Sequence, residues 1–219
     1  MGIQIQGNGG SIAEVDGTNF RAMRVTNRPI DHGALGHYRL ATTVPLVVTQ
    51  AANGTLFSFR WGNSSNLCVP LFMRLEVMQT AAATATIMPS FQVLIARNFT
   101  TSDSAGTALT LTGNAFKKRT SMGTTLVTDI RKSAVAAGLT AGTRTLDTDA
   151  MMEMSTQQVI TTPNITAYNK IIDFTNAGDH PLVLAQNEGI IVRGPTVVFG
   201  AAGTANLLVE MAWAEVAAY

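Results

Sequence analysis

The chain has 219 residues, of which 13% are charged, 46% are apolar and only 6% are aromatic. This composition excludes intrinsic disorder, because disordered chains are highly charged and poor in aliphatic residues. It also excludes a membrane-spanning helix, since no apolar run approaches the ~18–20 residues that a bilayer requires. The formal net charge of +1 provides no overall field that would attract nucleic acid or an anionic membrane.

The N-terminal part of the chain, residues 1–40, is predicted to be an extended arm, because it begins as a polar, glycine-rich stretch. Within it, Phe20–Val25 is a candidate strand, and residues 29–38 are expected to be irregular because glycine and proline interrupt them. Neither a signal peptide nor myristoylation is expected from Met1–Gly7. A single domain is expected over residues 41–219.

Alternation of polar and apolar residues predicts strands in the centre of the chain. The candidates are Thr55–Trp61, Leu71–Val77, Phe91–Ala96 and a short strand around Leu109 and Leu111. In the second of these, the pattern predicts inward-facing side chains at Leu71, Met73, Leu75 and Val77, with Arg74 and Glu76 outward. Val127–Ala137 is instead a candidate helix with an apolar stripe, and Gly138 would stop it.

The last third of the chain contains short apolar runs separated by Gly, Pro and Asn. They predict strands at 151–154, 159–160, 168–174, 180–184, 189–193, 196–199 and 206–216. In the last strand, Leu207, Val209, Met211 and Trp213 are expected to face one way, and Glu210 and Glu215 the other. About ten short strands and at most one short helix predict an all-β sandwich or barrel.

No residue is predicted to be catalytic, and no metal or cofactor is expected. His32 and His37 have only Asp31 as a neighbouring ligand, and the Asp147–Asp149 stretch lacks the Gly and Glu of a calcium loop. Cys68 is the only cysteine, and its apolar neighbours indicate an inert, packed thiol. The chain is therefore not expected to be an enzyme.

Two basic clusters are the candidate partner-binding sites. One comprises Arg21, Arg24, Arg28 and Arg39, and the other comprises Lys117, Lys118 and Arg119. Nucleic acid is a less favoured ligand, because stacking aromatic residues are lacking around both clusters. Pairing with carboxylates of another protein, or of another copy of the chain, is the preferred interpretation, since arginine–carboxylate pairs are common at interfaces.

Several stretches resemble virion structural proteins of tailed bacteriophages. These are Val15–Val25, Arg28-Pro29, Gly36–Ala41 and Ala51–Trp61, together with Leu182–Ile190, which is similar to the strand–turn–strand ending of jelly-roll domains. The resemblance implies an all-β, jelly-roll-like antiparallel β-sandwich with an extended N-terminal arm. It also implies a capsid cement, or decoration, protein that bridges neighbouring major capsid subunits.

Such a protein would be assembled in the host cytoplasm and would lie on the outer capsid surface, often as a homotrimer. The arm would then hold adjacent subunits, and Arg21, Arg24 and Arg28 would pair with capsid carboxylates. Two other functions stay open. A receptor- or glycan-binding sandwich of a head or tail fibre would need an exposed aromatic platform, and a hydrolase would need a pair of carboxylates in a cleft.

Overall fold

The computed structural model describes residues 35–47, 50–84, 88–134, 138–157, 168–175, 181–195 and 203–217. All of them belong to one unit, His32–Tyr219. The described residues form eleven β-strands and contain no helix, so none of them belongs to a helix that could cross a bilayer. Residues 1–34 of the expected arm lie outside this part of the chain, as do the candidate strands Phe20–Val25, Val159-Ile160 and Thr196–Phe199.

Two antiparallel sheets form a β-sandwich, which confirms the predicted fold class. The four-stranded sheet has the order β1 (Gly36–Val47), β11 (Thr204–Val216), β3 (Leu67–Ala81) and β9 (Tyr168–Asp173). The seven-stranded sheet has the order β5 (Thr107–Ala108), β6 (Asp129–Lys132), β2 (Gly54–Trp61), β10 (Glu188–Gly194), β4 (Ser90–Arg97) and β7 (Thr145–Leu146), and β8 (Met152–Ser155) also pairs with β4. The first strand pairs with the last and the second with the next to last, which is the wrapped order of a jelly roll.

The core lies between the two sheets and contains the alternating residues that the sequence analysis placed inward. Leu207, Val209, Met211 and Trp213 are all fully buried in it, as predicted. The ring of Trp213 stacks on Tyr38, with ring centroids 5.7 Å apart, and meets the edge of Phe59. Aromatic contacts therefore join β11 to β1 and to β2 of the opposite sheet.

The boundary predicted at residue 40 differs from the structure, because residues 36–40 belong to β1 and pair with β11. Tyr38 and Leu40 are buried, as expected of alternate residues in a half-buried strand. Gly36 was one of the residues that predicted an irregular segment over 29–38, yet it is the first residue of β1. A Cβ at Gly36 would meet the ring of Tyr38, so a larger residue here would displace that buried side chain.

The helix predicted at Val127–Ala137 is wrong, because Asp129–Lys132 forms strand β6 beside β2. Ile130 is fully buried against the core. The backbone N–H groups of Ser133 and Leu139 donate to Leu56 and Thr55, both residues of β2. Hydrogen bonds to the edge of a distant strand thus outweigh the local helical pattern.

Leu71 was expected to point into the main core, but a β-bulge in β3 places it outside that core. Ala212 pairs with Phe72 and Trp213 pairs with Pro70, so Leu71 is the extra residue of β3. Leu71 packs in a small second cluster with Val69 and Ala214, separate from the main core. Met73, Leu75 and Val77 are buried in the main core as predicted.

Two shorter predictions also differ from the structure. The strand near residue 110 is Thr107–Ala108, so Leu109 and Leu111 follow it, and both pack against the core. The segment predicted as a strand at 180–184 makes only an isolated bridge, in which Leu184 pairs with Cys68. His180 lies outside the described residues.

Candidate interaction surface

The side of the four-stranded sheet that faces away from the core is called the open face here. It carries the alternate residues of β1, β11, β3 and β9, and three of its large apolar side chains are accessible to solvent. Phe72 is 37% exposed, Met78 is 40% exposed and Ile171 is 60% exposed. Exposed apolar side chains grouped on one face are typical of protein–protein contact surfaces.

Strand pairing arranges the open face in rows that run across all four strands. One row consists of Arg39, Ala212, Phe72 and Asp173. Arg39 and Asp173 are exposed at opposite ends of this row, and neither forms an ion pair with another described residue. The row therefore has a cation at one edge of the sheet and an anion at the other.

The next row consists of Ala41, Glu210, Arg74 and Ile171. Arg74 lies between two carboxylates: its Nη1 is 3.3 Å from Oε2 of Glu210, and its Nη2 also pairs with Glu76. These three half-buried side chains carry a net charge of −1 at neutral pH. Among the described residues, the Nε of Arg74 has no hydrogen-bond partner.

A groove with a volume of about 530 Å³ lies on the β1 side of the open face. Phe72 and Phe116 line it together with Arg39, Ala41 and Glu210. Its lining is thus mainly apolar, with one cationic and one anionic side chain.

The edge of the four-stranded sheet beyond β1 is covered by residues 116–118. Arg39 N–H donates to the Phe116 carbonyl at 2.8 Å, and Lys118 N–H donates to the His37 carbonyl at 3.1 Å. Lys117 forms an antiparallel bridge with Tyr38. These bonds place Arg39 beside Lys117, Lys118 and Arg119, so the structure brings together residues from the two predicted basic clusters. We call these four residues the basic edge.

No ion pair joins the basic edge to a carboxylate within the described ranges. Lys118 and Arg119 are exposed, and the Arg119 side chain donates a long hydrogen bond, of 3.4 Å, to Ser121. Arg21, Arg24 and Arg28 lie outside the described residues, so their positions relative to this edge are not described.

A buried carboxylate, which the sequence analysis had placed on the outer face, lies inside the sandwich. Glu215 is fully buried and accepts hydrogen bonds from Thr125 Oγ1 at 2.5 Å, Leu126 N–H at 2.9 Å and Trp213 Nε1 at 3.3 Å. Burial raises the pKa of Glu215, and these hydrogen bonds partly oppose that rise. The predicted outward direction of Glu215 is wrong, because Glu215 lies two residues after Trp213 in β11 and therefore points to the same face of the sheet.

The Glu215 charge acts on two neighbouring groups. Burial, reinforced by Glu215, raises the pKa of Tyr38 to about 12. The same two causes raise the pKa of Cys68, which is fully buried. The predicted packed thiol at Cys68 is therefore confirmed, and at neutral pH this sulfur is protonated and a poor nucleophile.

A second charged cluster ties two loops to the seven-stranded sheet. The buried Arg144 forms an ion pair with Asp103 and lies 5.1 Å from the ring centroid of Phe99. Asp103 also accepts from the N–H of Gly142 at 2.8 Å. Burial lowers the pKa of Arg144 to about 10, which leaves it charged at neutral pH. This pair fixes loops and offers no open site.

Other candidate chemistry is limited in the part of the chain that the structure describes. It holds no cluster of three or more metal-ligating side chains. Asp147 forms an ion pair with Arg97 at 3.3 Å. Trp61 and Trp213 are both fully buried, so neither provides the exposed aromatic platform that a glycan site would need.

Neither Phe72 nor Ile171, two exposed apolar residues of the open face, was predicted to be a functional residue. Their strands were predicted, but which face of a strand is covered depends on the rest of the sandwich. The sequence does contain a signal for Ile171, because Ile171 and Ile172 are consecutive apolar residues. Consecutive side chains of a strand point to opposite faces, so one of the two must lie outside the core.

Comparison with known proteins shows no family for this chain. No protein-family model matches it, and no curated protein matches it. A solved structure, that of infectious bursal disease virus Gx strain, aligns with 81% of this chain at 15% identity and a TM-score of 0.12. This chain spans 41% of that structure's chain. Such a low TM-score carries no argument about fold or function.

Proposed function

We propose that this protein is a structural component of a phage particle, a capsid cement protein that binds major capsid subunits on the outer surface of the head. The observation that carries the proposal is the basic edge, four cationic side chains gathered at one border of a sheet without a carboxylate partner among the described residues. The sequence resemblance to phage virion proteins supplies the class of partner.

The physical role follows from the rigidity of the scaffold. Residues 116–118 are held by backbone hydrogen bonds to β1, so the cations project from a fixed sheet border. Lysine and arginine at such a border suit carboxylates on neighbouring shell subunits, and many copies, each making a modest contact, resist opening of the shell together. Jelly-roll folds serve in viral capsids and also in lectins and cupins, so the fold alone does not select the function.

Sedimentation of the protein with empty phage heads that lack it tests the proposal. The wild type is expected to co-sediment with the heads and to be released as salt is raised, because exposed charge pairs are screened. Lys118→Glu, a change at an exposed position, is expected to weaken the binding.

Lys170→Glu provides the control, because Lys170 is also an exposed lysine but lies on β9 at the other edge of the sheet. Its Nζ donates to the Glu153 carbonyl at 2.7 Å, so circular dichroism is used to check that this variant folds. This variant is expected to bind heads like the wild type. If the wild type does not bind heads, or if both variants bind equally well, the proposed role of the basic edge is wrong.

A further inference from the structure

We propose that two copies of this chain pair face to face through their open faces, related by a two-fold axis that runs parallel to the strands between β11 and β3. In this arrangement β1 of one copy lies opposite β9 of the second copy, and β11 lies opposite β3. A two-fold contact is possible only if the surface is complementary to itself. The rows of the open face meet that condition.

The first row is complementary in charge and in size. Arg39 of one copy comes opposite Asp173 of the second copy, and the same pair forms again at the other edge. Between them, the partly exposed Phe72 of each copy comes opposite Ala212, the smallest side chain of the row. Neither Arg39 nor Asp173 has an ion-pair partner among the described residues of its own chain.

The second row is complementary in the same way. Glu210 of one copy comes opposite Arg74 of the second copy, so the charged groups of the two chains alternate in sign. At the edges, the large Ile171 comes opposite the small Ala41. Two successive rows therefore place opposite charges together and large side chains over small ones under a single symmetry operation.

The groove receives the most exposed of these side chains. Ala41 lines the groove together with Phe72 and Phe116. The two-fold axis brings Ile171 of the second copy, which is 60% exposed, over this position. Its side chain fills the apolar part of the groove, while Asp173 of the second copy reaches Arg39 at the end of it.

The third row is polar at its edges, where Thr43 comes opposite Asn169, and it sets Leu208 opposite Glu76.

The area of the contact can be estimated from the size of the open face. Four strands about 4.8 Å apart, with five outward residues on the longest strand, form a contact surface of roughly 600 Å² per copy. This area lies near the lower limit for specific complexes. A dissociation constant on the order of 1 μM is therefore expected.

This two-fold contact goes beyond the proposed function and does not depend on it, because it needs only the purified chain. In the dimer Arg39 pairs with Asp173 of the second copy, so Lys117, Lys118 and Arg119 are the residues of the basic edge that remain for capsid carboxylates. It also differs from the trimer that the resemblance implies. A three-fold contact joins two different surfaces and would not place each row against itself.

A charge exchange between the two ends of the first row tests the proposal, with mass measured by analytical ultracentrifugation. Arg39→Asp and Asp173→Arg each place like charges together twice, and each is expected to weaken dimerisation roughly 10- to 100-fold. An equimolar mixture of the two variants restores both opposite-charge pairs and is expected to form a heterodimer. The double variant is expected to dimerise like the wild type.

Ile171→Lys provides a second test at an exposed position where the fold does not need the side chain. It is expected to weaken the dimer, because the lysine would lose the apolar contacts that Ile171 makes with the groove beside Phe72 and Phe116. Met88→Lys is the control, since Met88 is 68% exposed but lies outside the open face, and it is expected to leave the dimer intact.

The proposal is overturned if the wild type is a monomer or a trimer at concentrations of tens of micromolar, or if the mixed variants do not associate. Circular dichroism of each variant identifies those that fail to fold. Failure of the dimer would leave binding to phage heads untouched, since that binding is measured with heads and through Lys118.

Discussion

The side chain of Glu215 accepts a hydrogen bond from the backbone N–H of Leu126 at 2.9 Å, inside the sandwich. This bond and a second one from Thr125 Oγ1 hold the chain that leads into β6 against the last strand. A carboxylate thus performs the role that a backbone carbonyl would perform in a regular sheet. The arrangement stabilises an irregular segment and adds a dependence on pH.

Glu215 is expected to make the protein less stable as the pH rises. Burial raises its pKa in the folded state above the ordinary value of 4.5, so the folded state keeps this proton at pH values where the unfolded chain has lost it. Its contribution to stability is complete below about pH 4.5 and is lost as the pH rises through the raised pKa. Glu215→Gln removes this dependence.

Urea unfolding of the wild type and of Glu215→Gln from pH 4 to pH 8 measures the effect. The difference between their free energies of unfolding is expected to change over this range in favour of the variant, while contributions from other groups cancel. A difference that stays constant with pH would show that Glu215 titrates alike in the folded and unfolded states.

The Asp103–Arg144 pair is expected to be required for stability. Asp103→Asn leaves a buried guanidinium without its counter-charge, and the expected loss is about 3–5 kcal/mol in the free energy of unfolding. Replacement of both residues, by Asp103→Leu with Arg144→Met, is expected to cost less than the sum of the single changes Asp103→Leu and Arg144→Met. Additive losses in urea unfolding would mean that the two side chains do not interact.

Two methionines allow a matched test of the core. Met73 is fully buried between the sheets, whereas Met88 is 68% exposed. Met73→Ala is expected to lower the free energy of unfolding by about 2–5 kcal/mol, because it leaves a cavity. Met88→Ala is expected to change it by less than about 0.5 kcal/mol. Equal effects in thermal unfolding would contradict the assignment of the core.

Cys68 is expected to resist thiol reagents in the folded protein. It is fully buried and its pKa is raised, so both access and thiolate formation are suppressed. Reaction with 5,5′-dithiobis(2-nitrobenzoic acid) at pH 8 is expected to be complete in urea and at least about 100-fold slower without it. Rapid labelling of the native protein would place Cys68 at the surface.

Strands with regular alternation were predictable from sequence. Thr55–Trp61 and the stretch from Asn206 to Val216 show a period of two, and both are strands in the structure. Alternation failed where the backbone departs from regular pairing. The bulge at Leu71 reverses the direction of the residues that precede Phe72, and no local pattern marks that extra residue.

Contacts between distant segments account for the other differences. Val127–Ala137 has a helical stripe, but an isolated helix of this length is only marginally stable, and pairing with β2 satisfies backbone groups of Asp129–Ser133 while Ile130 enters the core. The basic edge depends on the pairing of Tyr38 with Lys117, two residues far apart in the sequence. Each basic cluster was visible by itself, whereas their juxtaposition required the sheet.

Cryo-electron microscopy of phage heads decorated with the purified protein tests the central claim most directly. The account predicts β-sandwich density on the outer surface of the shell, with Lys117, Lys118 and Arg119 directed at carboxylates of the major capsid protein. Heads without added density, or density with this edge pointing into solvent, would contradict it.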